Sequence, residues 1–335
     1  VRMRNVRMRN VRLEIGNPII DKHFKLFLGL CLTVLSFFAI SQPAVAQLPQ
    51  TQIYIAPFNF SALTLKNPVP ITTHKGYVNQ PSFGPDTTTM LYVMDSDSAT
   101  DVFRYTVATK TSAQVTFTKS AEFSPLSLPF NGGIIAVRVT KPHAEDEAYT
   151  ESQELWHFSP MGNPNQVISE QHRVGYFTRF SDKSFAMFLV GNEKENIPHS
   201  LVWQNIGETD VHQVGYNIGR SLSQHPYTKQ LTFVDKSDST KWALNALGED
   251  GNIQHLLDLP LQETRSTAPR SEDVCWLPNG TLLLSNGNKI LHWNGNQGSA
   301  LTTIYELKIK GGYIARMAIN ADATQIAFVV QHLQN

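Results

Sequence analysis

Seven residues of this chain could do chemistry together if the fold brought them to one place: Asn79, Glu122, Tyr176, Arg220, Glu272, Asp273 and Arg316. Each stands near the start of a short apolar run, at comparable points of a pattern that recurs along the chain. Carboxylates, guanidiniums, an amide and a phenol converging on a narrow opening suit a peptide, a small metabolite or a cation. The same set can instead satisfy itself, with Arg220 and Arg316 paired to Glu122, Glu272 and Asp273, because charges withdrawn from water need partners.

Signatures of covalent or metal chemistry are missing from the sequence. It contains no G-x-S-x-G elbow, no H-E-x-x-H and no paired C-x-x-C, and Gly219-Arg220-Ser221 does not complete an elbow. The eleven histidines are scattered: His74, His172 and His225 fall near the ends of repeats, His157 and His292 within strands, and no pair has metal-ligand spacing. Asp95, Asp97 and Asp101 resemble a calcium loop only loosely, lacking its central Gly and late Glu, and suit a solvated hairpin better. Cys275, between Val274 and Trp276, reads as a small core residue. No catalytic residue, no metal ligand and no cofactor are assigned, with a divalent cation at the opening as the alternative.

The elements that would position the seven are short strands. Residues 76–118, GYVNQPSFGPDTTTMLYVMDSDSATDVFRYTVATKTSAQVTFT, hold four of them: two apolar runs (81–83 and 90–94) flank Gly84-Pro85-Asp86, and two more (102–105 and 114–117) flank Thr109-Lys110-Thr111. The first half of this unit recurs at 78–93, 122–139, 174–190, 218–234, 272–285 and 314–330. The second half appears at 53–72 and then around Phe103 and Tyr105, Trp156 and Phe158, Trp203, Trp242 and Trp293. The chain thus opens on a second half and ends on a first half. A repeat of roughly 45 residues with four antiparallel strands marks a β-propeller blade. The expected fold is all-β: a six-bladed β-propeller of four-stranded antiparallel blades, its last blade closed by pairing 53–72 with 314–330, which removes the free edges of a linear array. The four tryptophans named above are expected to pack between blades. Residues 141–152, KPHAEDEAYTES, form the longest insertion and read as an acidic, solvated loop. The seven residues enter first strands and should meet at the mouth of the central channel.

Residues 1–46 stand outside this pattern. Lys22 and Lys25 precede an apolar run at 26–40, and Ala44-Val45-Ala46 supplies small residues for a signal peptidase. A run of roughly 15 residues is short for a spanning helix, which needs about 20. A signal peptide cut after Ala46 is therefore expected, with no transmembrane anchor afterwards and a mature domain at 47–335 in the periplasm or secreted. Leu30 before Cys31 argues against a lipid anchor. Of the 28 basic and 28 acidic residues, seven and two lie in 1–46, so the remainder carries 21 against 26, a formal charge of −5. Nucleic-acid binding would need a basic face, so no nucleic acid is expected. Cys275 alone remains, so stability must come from packing.

The segments GYVNQPSFGPD, SAEFSPLSLPFNG, VGYFTRF, NIGRSL, SEDVCWLPNGTLL and RMAINADATQIAFV resemble exported bacterial proteins related to the TolB-type, WD-repeat-like six-bladed propellers. Family blades carry Ser-Pro-Asp-Gly at the first hairpin; this chain has Gly-Pro-Asp-Thr at 84–87, Phe-Ser-Asp-Lys at 180–183, Leu-Pro-Asn-Gly at 277–280 and Asn-Ala-Asp-Ala at 320–323, each still supplying a turn former. TolB has an α/β domain before its propeller, for which there is no room between Gln47 and Ile53. The resemblance implies a monomeric, non-catalytic propeller whose channel mouth holds a periplasmic protein or peptide, or a small ligand. The alternative is a metal-dependent propeller hydrolase, lyase or lactonase using Glu122, Glu272 or Asp273.

Overall fold

The computed structural model describes residues 48–332 except 97, 98, 131, 143, 145, 262–269 and 271. The chain divides into units Val1–Gln47 and Leu48–Asn335. The expected signal peptide and its cut after Ala46 lie outside the described residues.

The chain enters on β1 (Thr51–Asn59), followed by the two-residue strands β2 (Thr64–Leu65) and β3 (Val69–Pro70). Blade 1 is β4 (Val78–Phe83), β5 (Thr89–Asp95), β6 (Thr100–Thr106) and β7 (Thr111–Gln114). Blade 2 is β8 (Ala121–Ser127), β9 (Ile134–Val139), β10 (Gln153–Phe158) and β11 (Pro164–Ser169), with helix α1 (Asp146–Glu151) between β9 and β10. Blade 3 is β12 (Val174–Ser181), β13 (Ser184–Leu189), β14 (Ser200–Asn205) and β15 (Val211–Tyr216). Blade 4 is β16 (Ile218–Gln224), β17 (Leu231–Asp235), β18 (Ala243–Leu247) and β19 (Ile253–Asp258). Blade 5 is β20 (Val274–Trp276), β21 (Leu282–Asn286), β22 (Lys289–Trp293) and β23 (Thr302–Glu306). Blade 6 joins β24 (Gly312–Ile319) and β25 (Gln325–His332) to β1, which β2 and β3 flank on its outer side.

Blade 6 is therefore the split blade. Seven register pairs hold β1 antiparallel to β25, from Thr51↔Gln331 to Pro57↔Gln325. First strands touch in the cyclic order β4, β8, β12, β16, β20, β24 and back to β4. The six first strands thus enclose one channel, and this closed ring makes the molecule a six-bladed β-propeller.

Period-two alternation explains where the core lies. Both faces of a second strand meet a neighbouring blade, so β5, β13 and β25 are buried almost throughout. The core is a series of clusters between blades; one packs Ile53, Ala327 and Val329 of blade 6 against Val78, Met90, Tyr92 and Phe103 of blade 1. Trp156 and Trp203 occupy the fourth residue of their strands and pack against such clusters, and buried Trp293 meets Trp276 edge-on, with ring centroids 6.4 Å apart. Trp242 also packs against such a cluster, between blades 4 and 5, but at a different point of its blade. It precedes β18, at the opposite end of its blade, between the Lys236 ammonium (4.3 Å from the ring centroid) and the Arg270 guanidinium (4.4 Å).

Two local details also differ from the sequence reading. Strand β7 begins at Thr111, three residues before the expected 114–117, because Lys110 takes a left-handed φ of 56° and tightens the hairpin. The 141–152 insertion forms α1 and leaves Tyr149 half-buried, so it is only partly a solvated loop.

One irregularity sets up the channel wall. Strands β4, β8, β12, β16 and β24 each carry a register shift against their second strand, after Asn79, Phe123, Val174, Ile218 and Ile314 respectively. An extra residue at such a point re-aims the side chains beyond it. The bulges also tie blades together. Gln80 (φ 56°) accepts the Ser124 N–H through Oε1 at 2.6 Å, and the Ser124 hydroxyl donates to the Gly175 carbonyl at 3.2 Å.

Candidate functional site

First strands begin, and second strands end, on the same rim of the channel, so the antiparallel topology gathers the seven residues and the α1 insertion on one face. The side chains that meet there do not coincide with the seven.

Arg220, inside the β16 bulge, is the hub. Its Nη2 donates to Asp273 Oδ2 at 2.8 Å and to the Ala315 carbonyl at 3.0 Å, while Nη1 lies 3.7 Å from Glu272 Oε1. The Arg220 N–H donates to Glu272 Oε2 at 3.2 Å, and Lys236 Nζ reaches the same oxygen at 3.5 Å. Gly219 permits this approach, since a Cβ there would collide with Glu272 Oε2. Glu272 and Asp273 side chains are 9% exposed and Arg220 is 32% exposed. Desolvation pulls the Arg220 pKa down, but Asp273, Tyr176 and Glu272 outweigh it, so the guanidinium is held charged. One side chain thus links blades 4, 5 and 6.

Arg316, just beyond the β24 bulge, crosses the channel. Its Nη2 donates to the Tyr176 hydroxyl at 2.7 Å and its guanidinium carbon lies 4.7 Å from the ring centroid of that tyrosine. Tyr176 belongs to β12, three places round the ring from β24, so the bridge joins opposite blades. Two further phenols come near. Burial raises the Tyr77 pKa against the opposing pull of Arg316 and Arg220, and burial with Tyr176 alongside pushes Tyr149 of α1 up to about 12. Both therefore remain proton donors at neutral pH. Helix α1 is tethered through Glu151, whose Oε1 lies 3.4 Å from Arg173 Nε. At the periphery His199 accepts the Gly191 N–H on Nδ1 at 2.7 Å, so its neutral ring carries the proton on Nε2; desolvation and Lys236 lower its pKa.

Asn79 and Glu122 are elsewhere. Asn79 is buried, with Nδ2 3.5 Å from the Thr51 hydroxyl of β1. Glu122 is 0% exposed between blades 1 and 2, where Oε1 accepts from Thr118, Arg138 Nε is 3.9 Å away and Asp101 lies close by. Its Oε2 has no hydrogen-bond partner. Desolvation raises the Glu122 pKa to about 7, with Asp101 adding to it. The sign follows: the folded state holds this proton from about pH 4.5 to about pH 7 while the unfolded chain releases it, so its contribution to stability falls as pH rises through that window. Glu122→Gln keeps the shape without the charge. Urea titrations should find this variant more stable than the parent at pH 8, by roughly 3–4 kcal/mol at about 1.4 kcal/mol per pKa unit, and equal to it near pH 4. An unchanged difference across that range would place the buried proton on another group.

Sequence reasoning passed over Tyr77, Tyr149, Lys236 and His199. Tyr77 is one residue before β4, while the other three lie in or beside hairpins between second and third strands, on the face the seven were expected to share. That topology was the available signal. Among the described residues no three His, Cys, Asp or Glu side chains converge to hold a metal ion, and no helix is long and apolar enough to cross a membrane. Cys275 is buried, and burial pushes its thiol pKa up.

No family model matches the sequence, and no curated protein matches it. Solved structures do share its fold. A putative TolB from Agrobacterium tumefaciens superposes with a TM-score of 0.59 at 11% identity, covering 86% of this chain and 100% of that one. A gluconolactonase from Xanthomonas campestris gives 0.56 at 8% identity over 88% and 99% of the two chains. An oligogalacturonate lyase in complex with manganese gives 0.54 at 10% identity over 87% and 95%. At these identities the likeness concerns the backbone, and on that evidence the chain has the TolB-like six-bladed β-propeller fold.

Proposed function

We propose that this propeller is a non-catalytic binding module, exported to the periplasm or secreted, that holds a protein segment or a small ligand at the mouth of its central channel. The supporting observation is the convergence of Tyr77, Tyr149, Tyr176, Arg220, Asp273 and Arg316 from all six blades on one opening. Such a group offers directional hydrogen bonds and phenol faces at a partly buried opening, which suits recognition. The alternative, a metal-dependent hydrolase, lyase or lactonase, would use Glu122, Glu272 or Asp273 at an accessible, unpaired position. Glu122 has no exposed surface, and Glu272 and Asp273 are engaged by Arg220, so the arrangement favours binding.

A photo-crosslinking amino acid at Ile197, in the β13–β14 connection of the mouth face, should give discrete adducts in cells that make the protein. The same group at Phe130, in the β8–β9 hairpin of the opposite face, should give none. Adducts from 130 alone would move the binding site to the other face.

A further inference from the structure

Among the cationic side chains of Arg220, Lys236 and Arg316 at the mouth, one stands without a carboxylate. Arg220 and Lys236 share Glu272 and Asp273, whereas Arg316 has no carboxylate partner among the described residues. One of its five N–H groups is given to the Tyr176 hydroxyl. The guanidinium also lies against the face of the same ring. The half-buried guanidinium thus keeps most of its N–H groups for water or for a ligand, whereas Arg220 spends its own on two carboxylates and a carbonyl. Tyr77 and Tyr149, kept protonated by burial, add donors and no further charge. The site is rich in donors; among Arg220, Lys236, Arg316, Glu272 and Asp273 three positive groups face two negative ones, while Asp95, which accepts the Tyr77 N–H at 2.7 Å, lies beside His74.

Resting on the binding reading above, we infer that Arg316 is a carboxylate receptor: the ligand presents a single carboxylate that pairs with the guanidinium, with the phenols of Tyr176, Tyr77 and Tyr149 around it. A planar carboxylate accepts two parallel N–H bonds from the guanidinium fork. One negative charge matches the one guanidinium that lacks a carboxylate, whereas a dianionic phosphate would exceed it. The carboxylate can belong to a peptide chain end or to a small organic acid, and the two are separable by experiment.

The full chain, labelled for guanidinium NMR, is titrated with N-acetyl-trialanine as free acid and as C-terminal amide, and with succinate and succinamide. At least one acid should shift the Arg316 Nε–H signal and bind about tenfold or more tightly than its amide, the expected scale for a hydrogen-bonded charge pair. A response to the peptide acid alone assigns a chain end; a response to succinate assigns a small acid. Arg316→Lys should keep the preference for acid at weaker affinity, and Arg316→Gln should abolish it. Equal binding of acid and amide, no binding of either acid, or shifts confined to Arg220 would overturn the inference. Crosslinks from 197 alongside any of those results would leave the binding module standing and refute only the carboxylate.

Discussion

Deleting residues 314–335 is expected to abolish cooperative unfolding and to produce a chain that aggregates. The segment contains β25 and most of β24, which supply the partner of β1 along seven register pairs and the innermost strand of blade 6. Ile326, Phe328, Val329 and Val330 are each no more than 1% exposed. At roughly 1.5–3 kcal/mol for each large apolar side chain, these four contribute on the order of 6–12 kcal/mol, as much as the whole net stability of about 5–15 kcal/mol usual for a domain. Deletion also opens a long edge on β1 and removes β24 from the ring of first strands, exposing blade faces to other chains. Calorimetry and light scattering of the truncated protein provide the check. A single transition at the parental melting temperature would show that 53–72 folds without the C-terminal strands.

The fold was legible because its information is repetitive. Each blade restates strand, turn, strand, so substitutions such as Gly84 or Asn279 in the first hairpins cost the pattern little, and the half-units at the ends identified the closing blade. The site was less legible for a physical reason. Asn79, Glu122, Tyr176 and Arg316 look equivalent as residues entering first strands, but the bulges separate them. Asn79 and Glu122 precede the register shifts of β4 and β8 and are buried; Tyr176 and Arg316 follow those of β12 and β24 and reach the channel. A shift of one residue exchanges the two faces of a strand, and no residue type announces it: the residues at the shifts are as different as Gln80, Ser124, Gly175 and Ala315. The role of Tyr149 was hidden otherwise, inside an insertion whose composition suggests solvent and whose short helix is tethered by Glu151 and Arg173.

Arg220→Ala is expected to destabilise the protein by about 3 kcal/mol, the lower end of the range for removing one partner of a buried ion pair, because a third of the Arg220 side chain remains in water. The loss has identifiable parts: Asp273 and Glu272 keep their charges at 9% exposure without the Arg220 guanidinium, Lys236 Nζ still lying 3.5 Å from Glu272, and the Ala315 carbonyl loses a donor. Cutting one link among blades 4, 5 and 6 should lower the urea midpoint with little change in the slope that reports buried area. Adding Asp273→Asn to Arg220→Ala should recover part of the loss, since the Asp273 carboxylate that Arg220 meets at 2.8 Å then no longer stays charged at 9% exposure, and the double variant separates pairing from packing. The division of labour at the mouth depends on this result. If Arg220→Ala costs several times more than Arg316→Gln, Arg220 is the strut that shapes the opening and Arg316 the residue left over for a ligand. If Arg220→Ala changes stability by less than about 0.5 kcal/mol, as ordinary surface substitutions do, its guanidinium is as available as that of Arg316, and both belong to the recognition surface.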